Sequence, residues 1–372
     1  MKNKLGLYVH IPFCAAKCAY CDFYSLAGAQ DRWEEYTAAL CDRIRIWSAR
    51  CAGYEVDTVY FGGGTPSVLG ADRLTAILRT IRENYVLLDD AEITCEANPD
   101  SMTDGFLTGI REAGVNRLSM GIQSADDGEL RQLGRIHTFA QAQDAFARAR
   151  AAGFANLSVD LMYALPGQTM DGLRHSIRAL LALQPEHLSC YGLTVEPDTP
   201  LGRSHPVLPE DDTQADMYLM LCEELRAAGY EHYEISNFAR PSFRSRHNSR
   251  YWRQEDYLGF GPGAHSDFGG KRLEAPRSLD RWLSGELLEE DTDIDRAAEY
   301  LMLALRTSDG VDSERYQTVF RRDFAPVEQA LRPLITAGYV QNRGRRWSLT
   351  ESGFLLSNPI LVSVLEAVEP EN

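Results

Sequence analysis

Six apolar, strand-like runs follow one another through the first half of the chain: Leu5–Ile11, Val56–Gly63, Ala91–Ala97, Asn116–Gln123, Asn156–Tyr163 and His187–Leu193. The segments between them carry helical patterns, as in Asp31–Arg50, Ala71–Asn84 and Thr138–Gly153. Asp72 and Thr138 are capping-type residues that predict helix starts, and Gly153 predicts a helix stop. Strand alternating with helix implies βαβ units and a parallel sheet. Six units predict an α/β fold built as a partial (β/α)6, TIM-like barrel, with a doubly wound sheet as the rival. In either case chemistry gathers at the carboxyl ends of the strands. Polar residues collect there: Cys14 after the first run, Gly62–Pro66 after the second, Glu96 and Asn98 at the third, Gln123 at the fourth, and Asp160 within the fifth.

From Asp291 onward the pattern changes to short helices followed by "GYVQNRGRRWSLTESG". This reads as a two-strand wing beside helices, a smaller C-terminal α+β, winged-helix-like domain. The expected division is a core over 1–240, a connecting segment over 241–290, and the C-terminal domain over 291–372. That last stretch holds nine basic and thirteen acidic residues, which argues against a DNA-binding role. The whole chain carries a net charge of −16, so nucleic acid is not its expected partner. The densest basic stretch is "RPSFRSRHNSRYWRQ", with Arg240, Arg244, Arg246, Arg250 and Arg253. No apolar run approaches the ~20 residues of a membrane span, and the N-terminal apolar segment is too short for a signal peptide. The expected compartment is the cytoplasm. Disulfides are then unlikely, and Cys41, Cys51, Cys95, Cys190 and Cys222, scattered along the chain, read as small buried hydrophobes.

The other three cysteines demand chemistry. "VHIPFCAAKCAYCDFYS" places Cys14, Cys18 and Cys21 in one loop with C-x3-C-x2-C spacing, and Phe23 stands two residues further on. Four thiolates close a structural zinc site or a fully ligated iron–sulfur cluster, whereas three leave a position open for a ligand. The spacing favours a [4Fe–4S] cluster with three Cys ligands. Zinc is the alternative, with His10 completing a Cys3His set, but structural zinc sites usually draw ligand pairs from two separate knuckles.

This loop resembles the signature of the radical S-adenosylmethionine (SAM) superfamily. The resemblance implies a partial (β/α)6 barrel, SAM chelating the open iron through its amino and carboxylate groups, and reductive cleavage of SAM. "YFGGGTPS" (Tyr60–Ser67) has no Lys-Ser/Thr pair and so is not a P-loop. It resembles the turn that receives the SAM amino group. In order, "YVHIPFC", "GGGTP", "CEANP", "GIQS", "LGRIH" and "DLMYALPGQT" are similar to the coproporphyrinogen III dehydrogenase-like branch over nearly the whole chain. The resemblance implies SAM contacts by Tyr8, Tyr20, Gly63, Gly64, Thr65, Glu96, Gln123, Arg135 and Asp160. Glu96 suits an ammonium, Arg135 a carboxylate, and Gln123 or Asp160 a ribose or amide edge.

Two features divide the branch. The dehydrogenases resemble this chain but have a fourth cysteine where Phe23 stands, and an N-terminal extension before a first strand that here begins by Leu5. The string "HNSRYW", His247–Trp252, resembles instead the mark of a family of haem chaperones. That resemblance implies haem as cargo, with His247 as iron ligand and His232 or His265 as alternatives. Tyr251 and Trp252 are expected to stack on the porphyrin, and Arg250 or Arg253 to pair with its propionates. The expected partners are apo-haemoprotein acceptors, respiratory-chain components among them, a reductant for the cluster, and transiently a membrane surface. Monomer and homodimer both remain open. The alternative function is a coproporphyrinogen dehydrogenase or another radical SAM enzyme acting on a tetrapyrrole.

Overall fold

The computed structural model describes residues 2–286 and 288–368. All six predicted strands form: β1 (Asn3–Ile11), β2 (Tyr54–Gly63), β3 (Leu87–Ala97), β4 (Arg117–Gln123), β5 (Leu157–Tyr163) and β6 (His187–Gly192). They pair in chain order and all run parallel. The order is linear and β1 does not pair with β6, so the sheet is an open arc rather than a closed barrel. Helices α1 (Trp33–Ser48), α2 (Ala71–Asn84), α3 (Asp104–Ala113), α4 (Phe139–Ala151) and α5 (Met170–Ala182) carry the chain from each strand to the next. Parallel strands with helices returning over them are buried on both faces, which is why β4 is buried along its whole length.

Thr138 caps α4 as its sequence predicts, accepting from the Gln141 amide in a full capping box. Asp72 does not cap α2. It lies in the first turn, and Gly70 precedes the helix with φ of 87°, a conformation that favours glycine after the short helical turn Pro66–Leu69.

The chain divides into two compact units, Met1–Glu210 with Asp256–Thr292, and Asp211–Glu255 with Asp293–Asn372. This differs from the sequential division expected over 1–240, 241–290 and 291–372. Most of the expected connector belongs to the first unit, and four of its segments are strands there. Tyr257–Phe260 pairs in parallel with β1, and His265–Phe268, Lys271–Glu274 and Glu289–Asp291 extend that edge antiparallel. Trp282, 1% exposed, ties this segment down by packing on Tyr36 of α1.

In the second unit α6 (Asp211–Ala227), the hairpin of Glu231–Glu234 and Asn237–Ala239, and α7 (Arg246–Arg253) join the C-terminal elements. The Arg226–Glu351 ion pair at 2.7 Å and the Gln254–Glu299 hydrogen bond at 2.8 Å are two of those links. Three helices, Arg296–Ala304, Ser313–Phe320 and Ala325–Thr336, precede the expected wing, which forms from Val340–Arg343 and Arg346–Leu349. Val311–Asp312 adds a third strand, too short to leave a pattern in the sequence. Among the described residues no helix is long and apolar enough to cross a membrane.

Candidate functional site: the cysteine loop and the strand ends

β1 runs directly into the cysteine loop, and the root of that loop is pinned from several sides. Phe13–Cys14 pairs with Leu26–Ala27. Arg277 donates to the Asp22 carbonyl at 3.1 Å, and the Leu279 amide donates to the Tyr24 hydroxyl at 2.6 Å. His10 donates from Nε2 to the Tyr24 carbonyl at 3.0 Å and accepts at Nδ1 from the Tyr8 hydroxyl at 3.1 Å. Both of its nitrogens are therefore used in holding the loop, which removes His10 as the fourth member of a zinc set.

The three thiols are free and half-buried, while the other five cysteines are buried as expected. Thr65 donates to Cys14 Sγ at 3.5 Å, and Arg135 Nη1 donates to Cys18 Sγ at 3.4 Å. Burial pushes the Cys21 thiol up, and the neighbouring sulfurs of Cys18 and Cys14 add to the effect. Among the described residues, Cys222, His232 and Glu351 bring their ligand atoms within 4.8 Å of one another, but the three loop cysteines do not form such a group. A lone zinc ion needs ligands that close, whereas a cube holds its thiolates on separate irons. The donor set thus fits a cluster better than a single ion. Phe23, 69% exposed, points its ring to solvent and adds nothing to the set.

β2 ends in the glycine turn, which lies against the root of the cysteine loop. The Gly64 amide donates to the Ile11 carbonyl at 2.8 Å and the Thr65 amide to the Phe13 carbonyl at 2.7 Å. A Cβ on Gly64 would sit 2.6 Å from the Phe13 carbonyl oxygen, and backbone on both sides cannot give way. Gly64→Ala is expected to cost about 1–3 kcal/mol from overpacking and to lower the iron content of reconstituted protein. Denaturant titration and iron analysis of the same preparation check both effects.

Glu96, at the end of β3, is gripped by the Tyr60 hydroxyl at 2.8 Å and the Gly63 amide at 3.2 Å. Burial raises its carboxyl to about 7, and the nearby Asp160 adds to the rise. Burial also raises Asp160, on β5, to about 6, and Ser119 donates to it at 3.4 Å. The rings of Tyr8 and Tyr60 lie 6.1 Å apart beside Glu96. Gln123 ends β4 with φ of 76°, in the left-handed region. A Cβ on Gly121 would meet Asn98 Oδ1 at 2.9 Å, Gln123 Nε2 at 3.1 Å and Arg135 Nη2 at 3.2 Å, so three polar ends converge over that glycine. Arg135 donates to Asn98 Oδ1 at 2.7 Å and also to the Gly121 carbonyl. Tyr20 packs against the buried cluster of Leu133, Met162, Leu165, Leu193 and Leu201, and burial raises its hydroxyl, with Arg135 opposing and Cys18, Cys21 and Asp160 adding. Of the residues expected to contact SAM, Gly64, Thr65 and Arg135 touch the cysteine loop directly, Tyr20 lies within it, and Glu96, Asp160 and Gln123 stand at or near the strand ends beside them.

Sequence reasoning missed three contributors. Asn98 stood out as polar but not as the partner of Arg135. Arg277, far along the chain, left no signal. Arg117 is 1% exposed and its charge favours the ionised forms of Glu96 and Asp160, while its Nε and Nη1 have no hydrogen-bond partner among the described residues. A cation inside the apolar run "NRLSMGIQ" was the sign that could have found it.

The haem-directed residues sit otherwise than expected. His247 belongs to the second unit, fully buried on α7, with Nε2 2.8 Å from the Tyr251 hydroxyl. Arg250 is buried and paired with Glu255 at 3.4 Å, so it does not offer itself to a propionate. His232 stacks on Phe238 at 4.2 Å, with Nε2 toward the Ile235 carbonyl. His265 is exposed in the first unit, 3.7 Å from Glu274.

Residues 8–180 match the model of the Radical SAM superfamily, and residues 291–356 that of the HemN C-terminal domain. The heme chaperone HemW of Escherichia coli (strain K12) is 36% identical over 366 residues, covering 96% of this chain and 97% of that protein. The heme chaperone HemW of Bacillus subtilis (strain 168) is 36% identical over 378 residues, covering 96% and 98%. Among solved structures, the coproporphyrinogen III oxidase HemN of Escherichia coli, a radical SAM enzyme, aligns with a TM-score of 0.86 at 25% identity, over 98% of this chain and 90% of that one. With a radical SAM core, a HemN-type C-terminal domain and end-to-end identity of this order, the chain belongs to the HemW family of the radical SAM superfamily.

Proposed function

We propose that this chain is a haem carrier that binds haem and passes it to apo-haemoproteins, while holding a [4Fe–4S] cluster on Cys14, Cys18 and Cys21 and SAM beside it. The observation that carries the reading is the similarity to heme chaperones along 96% of the chain. Phe23 in place of a fourth cysteine agrees with it. Held by Cys14, Cys18 and Cys21, the cluster would supply an open coordination position and an electron to SAM. The protein's own part is positioning. Glu96 accepts hydrogen bonds from the SAM amino group, the Gly62–Gly64 turn leaves room for it, and Arg135 braces Cys18 while placing positive charge toward a carboxylate. Tyr20 and its apolar neighbours keep water from that face.

Titration of cluster-replete protein with haem, followed at the Soret band, is expected to show saturable uptake and then loss to an added apo-haemoprotein. Protein that takes up no haem defeats the carrier reading. His247→Ala tests a narrower point, because ligation through His247 Nε2 requires it to give up its bond to Tyr251. An unchanged Soret band in that variant removes His247 as ligand and leaves the carrier reading standing. The likeness to coproporphyrinogen III oxidase supports a second reading, a tetrapyrrole-modifying enzyme. Anaerobic incubation with SAM, reductant and coproporphyrinogen III is expected to yield no protoporphyrinogen IX, and robust turnover reverses the order of the two readings.

A further inference from the structure

Far along the chain from the cysteine loop, three side chains have the composition of a metal centre. Cys222, His232 and Glu351 bring a sulfur, a ring nitrogen and a carboxylate oxygen within 4.8 Å of one another. All three belong to the second unit. Cys222 lies on α6, His232 on the strand Glu231–Glu234, and Glu351 opens the helix Glu351–Leu355 that follows the wing. Cys222 is fully buried, His232 is half-buried, and the Glu351 side chain is 30% exposed, so an ion can enter from solvent past the carboxylate. The imidazole is set in the manner of a ligand. Its Nε2 lies 3.5 Å from the Ile235 carbonyl, which only accepts, so Nε2 carries the proton and Nδ1 the lone pair. Nδ1 faces Cys222 Sγ at 4.0 Å. Phe238 stacks on the ring at 4.2 Å, and Phe354 meets it edge-on at 5.1 Å. Packing and a backbone bond on the far nitrogen thus fix the ring, which is how proteins orient metal-bound histidines.

The spacing suits an ion better than a thiol–imidazole contact. Around a tetrahedral zinc, with Zn–S of about 2.3 Å and Zn–N of about 2.0 Å, sulfur and nitrogen stand about 3.5 Å apart, so the observed pair need close by only about half an ångström. Glu351 also pairs with Arg226 at 2.7 Å. A carboxylate has about four acceptor sites, so that pair does not exhaust it. We propose that Cys222, His232 and Glu351 form a zinc site, with water in the fourth position. A thiolate with an imidazole and a carboxylate is a borderline donor set that suits this ion. Binding expels the Cys222 proton to water, and one thiolate and one carboxylate then balance the two positive charges. The site takes Cys222 and His232 from the piece Asp211–Glu255 and Glu351 from the piece Asp293–Asn372, so the ion clips together the two stretches of chain that build the second unit. One of the five scattered cysteines thereby gains a role beyond packing. The proposal goes beyond the carrier reading and does not depend on it.

The test uses the full chain, purified anaerobically with its cluster, and zinc as the probe. Titration against a competing chelator is expected to show one tightly held zinc per chain. X-ray absorption at the zinc edge is expected to show one sulfur at about 2.3 Å and lighter ligands at about 2.0 Å. Glu351→Gln, a change at a half-exposed position, is expected to weaken zinc binding at least tenfold, and Cys222→Ser about a hundredfold, since losing a direct ligand costs no less than losing a group that orients one. Zinc is expected to raise the unfolding midpoint of the wild type and, at the same concentration, not that of Glu351→Gln. Arg226→Gln breaks the ion pair but leaves all three ligands, and is expected to keep its zinc. Where Cys222→Ser does not fold, Glu351→Gln and the zinc-edge spectrum decide. Wild-type protein that binds no zinc overturns the site, as does unchanged affinity in Glu351→Gln or an equal loss in Arg226→Gln. Three sulfur neighbours at the zinc edge put the ion in the cysteine loop and overturn it as well.

Discussion

Cys18→Ala is expected to leave reconstituted protein with almost no iron and sulfide, and Cys14→Ala and Cys21→Ala are expected to do the same. A cube held by three thiolates has no spare protein ligand, and the loop offers none: His10 is spent on Tyr8 and Tyr24, and the other five cysteines are buried. Cys18 has a further role, since it accepts from Arg135, which in turn holds Asn98 and the Gly121 carbonyl. Losing Cys18 therefore loosens the arginine that braces the ends of β3 and β4. The control is Phe23→Cys. Its side chain is exposed, so the exchange costs no more than about 0.5 kcal/mol, and iron and sulfide per chain stay at the wild-type value. Metal and sulfide analysis after anaerobic purification reads all four variants. A Cys18→Ala protein with full cluster content overturns the ligand assignment, and wild-type protein carrying zinc without sulfide overturns the cluster itself.

The first half of the chain was legible because strand and helix alternate with little interruption. Buried parallel strands need continuous apolar runs, and each of the six runs became a strand within a few residues of its predicted ends. The cysteine loop was legible because spacing within one loop survives folding unchanged. The division of the chain was not legible. Tyr257–Phe260 joins the β1 edge through backbone pairing that leaves no side-chain signature. Arg277 and Leu279 hold the cysteine loop from some 255 positions away, a separation at which no local pattern can speak. His247 marks the limit of motif reading. The string pointed to a ligand, but helical geometry turns His247 inward against Tyr251 four residues later and carries Trp252 and Arg253 to a cavity.

Binding of SAM is expected to strengthen as pH rises through about 7, and Glu96 is the reason. Its carboxyl titrates near 7 in the folded protein because burial disfavours the charge and Asp160 opposes it, against the help of Tyr60, the Gly63 amide and Arg117. The N–H groups of the SAM amino group are held better by the carboxylate than by the neutral acid, so affinity falls as Glu96 takes up its proton. The stability of the ligand-free protein must move the opposite way. In the unfolded chain Glu96 releases its proton near the ordinary glutamate value, while in the folded protein it keeps it until about 7. Between those two values the folded state binds more protons, so stability decreases as pH rises. The SAM amino group supplies hydrogen-bond donors to the carboxylate and restores part of that loss. Glu96→Gln removes the titration altogether. It is expected to weaken SAM binding about ten- to a hundredfold at pH 8, the worth of a charge-assisted contact in a half-buried site. It also flattens the affinity profile between pH 6 and 8 and relieves the pH-dependent loss of stability. Calorimetric titration of SAM across that range, beside denaturant unfolding without ligand, reads the two trends independently. A Glu96→Gln protein that keeps the wild-type slope places the titrating group elsewhere, and Asp160, raised to about 6, is then the next residue to replace.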